Sequence, residues 1–250
     1  MTKSYIWPVA NRVAHVLLIL FFATSYILGD FDTLLSYHAA FGLMLGIVML
    51  FRVFWGIIGP KYSNFRDFNF TLRALKEYLT SAFVKTKEYV GHNPASSYAI
   101  VLMIVLTFFT VITGLLVYGA EENHGILSFL HSSPFAKMKI FKESHEFFAN
   151  VLLGVIVLHV SGALIDKFIK KNDGIDAMLH GYKKTQEPVH VKTTVVQKLW
   201  GIVWIVCTLF ALYSLLFDKN NIFIAHANQS KVYASTKTFQ ALHVSQKGSL

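Results

Sequence analysis

The sequence predicts an all-α integral membrane protein, a bundle of four transmembrane helices joined by a fifth. Mean hydropathy is +0.48, and only 15% of the 250 residues are charged, too few for an ordinary soluble surface. Apolar stretches at 9–28, 38–58, 98–118, 145–165 and 199–217 each have about the 20 residues that a helix needs to cross roughly 30 Å of hydrocarbon. No segment between them is long enough to build a second core.

Taken in order, the first stretch follows Lys3 and Arg12 as a secretory leader would, but it lacks a small-residue cleavage site. It is therefore expected to stay as a helix. After the second span, residues 61–93 mix Phe65, Phe68, Phe70, Leu72, Leu75, Tyr78, Leu79 and Phe83 with basic side chains, the pattern of a helix lying on the membrane surface. Asn93-Pro94 supplies an N-cap and a proline at the first helical position, which starts the third span. Short apolar pieces at 126–130 and Phe135, broken by Pro134, are expected to fold against the membrane or a partner. The domains are then 1–187 (the four-helix unit), 188–217 (the additional transmembrane helix) and 218–250 (a polar external tail).

The net charge of +9 is unevenly distributed. Arg52, Lys61, Arg66, Arg73, Lys76, Lys85 and Lys87 follow the second span, and Lys167, Lys170, Lys171, Lys183, Lys184, Lys192 and Lys198 follow the fourth. The turn between the first two spans carries only Asp30 and Asp32. By the positive-inside rule, the N-terminus and both basic loops are cytoplasmic and the tail lies outside. These charges set topology and meet anionic lipid of the bilayer; nucleic acid is not expected as a partner.

Eleven histidines sort by position. His15, His38, His145 and His159 lie in or at the edge of apolar spans, where an ionisable side chain is costly and usually has a partner or a function. Singly, each is equally well read as a hydrogen-bonded helix residue. Their depths together say more. His145 and His159 are fourteen positions apart, just under four turns, so they share a face about 21 Å apart along the axis. His38 opens the second span at the depth of His145, and His15 lies at the depth of His159. Two such couples are what two bis-histidine haem sites stacked across a bilayer require. Cys207 is the only cysteine, which leaves no disulfide, no Cys-based metal cluster and no C-x-x-C-H attachment. Any haem is then b-type, held by side-chain ligation and packing.

Other residues support this reading. Gly42 and Gly46, four and eight positions after His38, leave a smooth strip for a flat macrocycle. Arg52, on the face of His38 at the inner end, and Arg12, one turn from His15, suit inner-haem propionates, because guanidinium binds carboxylate through two parallel hydrogen bonds. As interfacial anchors they are equally well explained. His92 is placed to bind or protonate a quinone, although a surface turn is the plainer reading. The remaining histidines carry no assigned role.

The run of motifs is similar to a known family. Arg12-x-x-His15, Tyr37-His38-Ala39-Ala40-Phe41-Gly42, Phe51-Arg52-Val53-Phe54-Trp55-Gly56, Gly91-His92-Asn93-Pro94, Ile112-Thr113-Gly114, His145-Glu146-x-x-Ala149-Asn150, His159-Val160 and Gly181-Tyr182-Lys183 follow one another over residues 7 to 184. In order and spacing they resemble the prokaryotic di-haem cytochrome b superfamily, which includes bacterial cytochrome b(561) and the cytochrome b subunits of membrane-bound Ni,Fe-hydrogenases. The resemblance implies a four-helix core with ligands from the first, second and fourth helices and two haem b groups. It also implies a bacterial inner membrane location and electron exchange between a periplasmic redox partner (a hydrogenase, a cytochrome c or similar) and membrane quinone. The hydrogenase subunits have no obvious counterpart to the fifth span and tail, which are expected to dock or anchor that partner. A stand-alone quinone-linked oxidoreductase, resembling a superoxide oxidase, is the alternative. A histidine-lined transporter fits poorly, because transport sites gather ligands near one depth.

Overall fold

The computed structural model describes residues 1–81, 84, 89–134 and 138–217; the expectations placed on Phe83, Lys85, Lys87, Phe135 and residues 218–250 lie outside them. The elements are β1 (Thr2–Tyr5), α1 (Val9–Leu28), α2 (Leu35–Ile58), α3 (Leu72–Thr80), α4 (Pro94–Ala120), α5 (Ile140–Phe168), α6 (Gly174–His180), β2 (Tyr182–Thr185) and α7 (Val195–Phe217). The protein is all-α in character, and α1, α2, α4, α5 and α7 are each long and apolar enough to cross a membrane.

The spanning helices run past the apolar windows. The windows open at 38, 98, 145 and 199 and the helices at Leu35, Pro94, Ile140 and Val195, because a helix keeps its own backbone hydrogen bonds where it leaves the hydrocarbon and polar side chains take over the outer face. His38 and His145 consequently sit about a turn inside their helices rather than at the openings. The cap at α4 is as read: Asn93 accepts from the Ser96 backbone N–H at 2.7 Å, with Pro94 at the first position. The expected surface helix is the short α3.

Helix α2 is central. It packs against α1, α4 and α7 and buries Met44, Leu45, Val48, Phe51 and Trp55, which form one core with Ala14 and Phe21 of α1. Helix α7 docks on this core. Trp204 stacks on Phe51 with centroids 3.8 Å apart, and Gln197 Nε2 donates to the Ile58 carbonyl at 2.7 Å. Gly201 lies against Ala10 of α1, where an added Cβ would stand 3.1 Å from the alanine methyl.

Helix α5 behaves differently. Among the spanning helices it packs extensively only along α4, with Phe148 stacked on Phe109. Leu152 is its one buried residue among those described. Outward side chains such as Ile19, Leu158 and Phe210 are exposed and apolar, as a lipid-facing surface requires.

The end of the bundle that carries the N-terminus is closed by a small cap absent from the sequence reading. β1 pairs antiparallel with β2 from Thr2↔Thr185 to Tyr5↔Tyr182, and Ile6, Trp7 and Ala177 form a second buried cluster. Strands this short, placed at opposite ends of the chain, leave no local signal. Below the cap, Asp166 of α5 accepts from Tyr78 of α3 at 2.5 Å and from Asn93 Nδ2 at 2.9 Å, with Lys170 Nζ 3.5 Å away. These bonds tie α3 to the ends of α4 and α5.

Gly181 ends α6 in the left-handed region at φ 86°, and its carbonyl accepts from the Ile6 and Trp7 N–H groups at 2.9 and 3.2 Å. An added Cβ would meet Tyr5 Cε2 at 2.9 Å. Gly181→Ala is expected to cost about 1–2 kcal/mol, the penalty of a left-handed backbone for a residue with a Cβ. A lowered thermal midpoint in detergent checks this; an unchanged midpoint counts against the cap as a stabilising unit.

Candidate functional site

The site is built across the space that α5 leaves beside α1 and α2. At the end remote from the N-terminus, His38 of α2 meets His145 of α5 with ring centroids 5.9 Å apart and ring planes at 90°. Two nitrogen–metal bonds of about 2 Å each, extended by the half-widths of two imidazoles, also span roughly 6 Å. A separation of this size would admit one metal ion between the two rings.

The hydrogen bonds fix which nitrogen carries the proton. His38 Nδ1 lies 2.8 Å from the Ser25 carbonyl oxygen of α1, and His145 Nδ1 lies 2.9 Å from the Thr110 carbonyl oxygen of α4. A carbonyl only accepts, so each Nδ1 carries the proton and each Nε2 keeps its lone pair. This is the tautomer of a metal-ligating histidine whose orientation is set by a backbone carbonyl.

The second couple occupies the opposite end. His15 of α1 and His159 of α5 lie within electrostatic range of each other, and His92 lies within range of both and of Arg52. Among the described residues, no cluster of three or more His, Cys, Asp or Glu side chains forms a metal site. Two imidazoles alone do not complete a metal's coordination, so a metal held by either pair would need further ligands, such as those of a macrocycle.

Both arginines singled out by the sequence stand at the N-terminal end. Arg12 Nη1 donates to the Leu179 carbonyl at 2.8 Å, while its Nε is buried without a hydrogen-bond partner. The Arg52 guanidinium lies over Phe65, 4.9 Å from the ring centroid, and its Nη1 is likewise buried and unpaired. A buried guanidinium N–H without an acceptor is costly, and a carboxylate is the group that satisfies it best. Haem fits these residues: open Nε2 atoms for iron and orphaned N–H groups for propionates.

Gly42 and Gly46 line helix contacts. A Cβ on Gly42 would stand 3.4 Å from Ser25 Oγ of α1, and one on Gly46 would stand 3.1 Å from Val111 Cγ1 of α4. Both glycines thus set how closely α2 approaches its neighbours. The sequence reading missed Ser25, Gly29 and Thr110, and it quoted Gly114 only as part of a motif. Each histidine ring rests on one of the two glycines: a Cβ on Gly29 would lie 3.1 Å from His38 Nδ1, and one on Gly114 would lie 2.9 Å from His145 Cε1. The available signal was a hydroxyl residue followed four positions later by glycine, once on each helix preceding a histidine helix.

The chain is similar to known proteins. The family described as prokaryotic cytochrome b561 matches residues 6–181, an interval that contains all four histidines and both arginines and stops before α7. A protein of Escherichia coli (strain K12) named "Probable Ni/Fe-hydrogenase 1 B-type cytochrome subunit" is 23% identical over 219 residues, 73% of this chain and 92% of its own length. A protein of Rhizobium leguminosarum bv. viciae named "Probable Ni/Fe-hydrogenase B-type cytochrome subunit" is 27% identical over 159 residues, 58% of this chain and 66% of its own. No solved structure matches the chain significantly.

His92 packs between Trp7, 4.8 Å away by centroids, and Phe68, 5.0 Å away. Burial in this cage, together with the positive charge of Arg52, holds its pKa down to about 3. A histidine whose pKa is lower folded than unfolded binds more protons unfolded, so stability falls as pH drops from the ordinary value near 6.5 toward 3. His92→Phe, which keeps the cage filled, is expected to flatten the loss of thermal stability between pH 7 and pH 4. Parallel melting curves for the two proteins across that range would count against a neutral, caged His92.

Proposed function

This chain belongs to the prokaryotic cytochrome b561 family, as a membrane b-type cytochrome that transfers electrons, and we propose that it does so through two haem b groups stacked across the bilayer. His38 and His145 ligate one and His15 and His159 the other. The observation that carries this reading is the 5.9 Å, right-angled approach of His38 and His145, with both Nδ1 atoms engaged by backbone carbonyls and both Nε2 atoms free. The depth match of His15 with His159 extends it to the opposite end.

Haem iron, when bound, supplies a centre that takes up and releases one electron. The chain holds and insulates it. Four imidazoles on three helices fix two positions about 21 Å apart along α5, and the apolar exterior keeps both inside a low-dielectric layer. Arg12 Nε and Arg52 Nη1 receive the propionates of the haem nearer the N-terminus. Their positive charge stabilises the reduced, less positive form of that haem.

The basic loops orient the N-terminal end, with the His15–His159 site, toward the cytoplasm of a bacterial inner membrane. A redox protein on the periplasmic side exchanges electrons at the His38–His145 end, and membrane quinone exchanges them at the other. The names of the relatives make a hydrogenase the first partner to test.

The deciding measurement is a reduced-minus-oxidised visible spectrum of purified protein with haem quantified per chain. The expected content is two haems, falling to one in His38→Ala or His145→Ala and to the other one in His15→Ala or His159→Ala. A fully folded preparation with no haem, or a His38→Ala protein that keeps both, would sink the reading. Replacing Arg12 or Arg52 by Gln is expected to lower the midpoint potential of the His15–His159 haem and leave the other unchanged; equal shifts in both would argue against propionate binding.

A further inference from the structure

We infer that Ser25–Gly29 on α1 and Thr110–Gly114 on α4 form two matched seats that hold the imidazoles of His38 and His145 crossed at right angles, so that second-shell backbone sets the axial geometry and the electronic character of the haem they ligate. The inference rests on the proposed ligation of one haem by these two histidines. It adds residues that act by positioning the two imidazoles.

The two seats are built alike. In each, a helix preceding the histidine helix offers a backbone carbonyl to Nδ1: Ser25 O at 2.8 Å for His38 and Thr110 O at 2.9 Å for His145. Four residues on, one turn further along the same helix face, stands a glycine whose missing side chain makes room for the same ring. An added Cβ would lie 3.1 Å from His38 Nδ1 and 3.2 Å from its Cε1 at Gly29, and 2.9 Å from His145 Cε1 and 3.1 Å from its Nδ1 at Gly114. The carbonyl fixes where the N–H points, and the glycine makes room for the Nδ1–Cε1 edge of the ring. Together they leave a ring little freedom to turn about its own axis. Because one seat is on α1 and the other on α4, on different sides of α2 and α5, the planes they impose need not be parallel. They stand at 90°.

The hydroxyl neighbours grade the two bonds. Thr113 Oγ1 donates mainly to the Phe109 carbonyl at 2.7 Å and by a longer branch of 3.1 Å to the Thr110 carbonyl, so the latter oxygen is shared in part between the hydroxyl and His145 Nδ1. Ser25 Oγ instead donates to the backbone oxygen of His38 at 3.1 Å, which ties the two helices at the seat itself. A stronger N–H···O bond to Nδ1 makes an imidazole a more basic ligand, and a more basic ligand favours the oxidised iron. Through its longer branch Thr113 would weaken the His145 bond and hold the potential of this haem up.

The test uses the whole chain, purified with haem. It compares the wild type with Gly29→Ala, Gly114→Ala, Thr113→Val, His38→Ala and, as control, Gly154→Ala. Gly154 is an exposed glycine on α5 with nothing within 4 Å of an added Cβ. The readouts are haem per chain, the low-temperature electron paramagnetic resonance of each oxidised haem, and the two midpoint potentials. Crossed imidazole planes give a strongly anisotropic low-spin signal with a large leading g value, which falls as the planes turn toward parallel.

The expected result is a fall in that g value for one haem only in Gly29→Ala and Gly114→Ala, or loss of that haem alone with the other retained. Thr113→Val is expected to lower the potential of the same haem with its content unchanged, and Gly154→Ala to match the wild type. If the glycine variants keep two haems with wild-type signals, or lose both haems alike, the seats do not position the rings and the inference is overturned. An unmoved potential in Thr113→Val overturns its graded part. If His38→Ala retains two haems, the ligation itself fails, and this outcome is distinct from the others.

Discussion

Everything in this architecture follows from how α5 is held. In hydrocarbon a helix satisfies its own backbone and gains little from pressing apolar side chains against apolar lipid, so nothing drives α5 onto α1 and α2. It packs along α4 and otherwise buries only Leu152 among its described residues. Between α5 and the α1–α2 pair, imidazoles from three helices approach one another in two pairs, one near each end. A macrocycle held by such a pair would bind α5 to the opposite half of the bundle, so cofactor and fold become one problem.

The two ends of this space are finished differently. At the end remote from the N-terminus, position is controlled by backbone: carbonyls of Ser25 and Thr110 take the imidazole protons, and glycines admit the rings. At the N-terminal end, control passes to charge. Arg12 and Arg52 reach it with N–H groups still unpaired, beside the β1–β2 cap and the Trp7–His92–Phe68 stack. Such a contrast would give the two proposed haems different surroundings, with main-chain geometry at one end and guanidinium at the other.

Helix α7 belongs to a separate layer of the design. It joins the α1–α2 side through Trp204, Gly201 and Gln197, away from α5, and the family match ends before it.

Much of this was written into local composition. Hydrocarbon thickness demands helices of a certain length, so five apolar runs announced five spans. Helical rise and pitch made the depths of His15, His38, His145 and His159 computable from numbering alone. Asn93-Pro94 declared its cap, and Arg12 and Arg52 their end of the bundle. Direction in space was not legible. Which neighbour α5 would choose, which nitrogen each histidine would turn inward, and why Ser25, Gly29, Thr110 and Gly114 stand where they do depend on helices meeting from distant parts of the chain. The strands Thr2–Tyr5 and Tyr182–Thr185 are the plainest case, since neither is a strand until the other arrives. A sequence fixes periodicity and depth because these are properties of one helix in one solvent; ring orientation and pairing are properties of two helices in contact, and only the assembled bundle decides them.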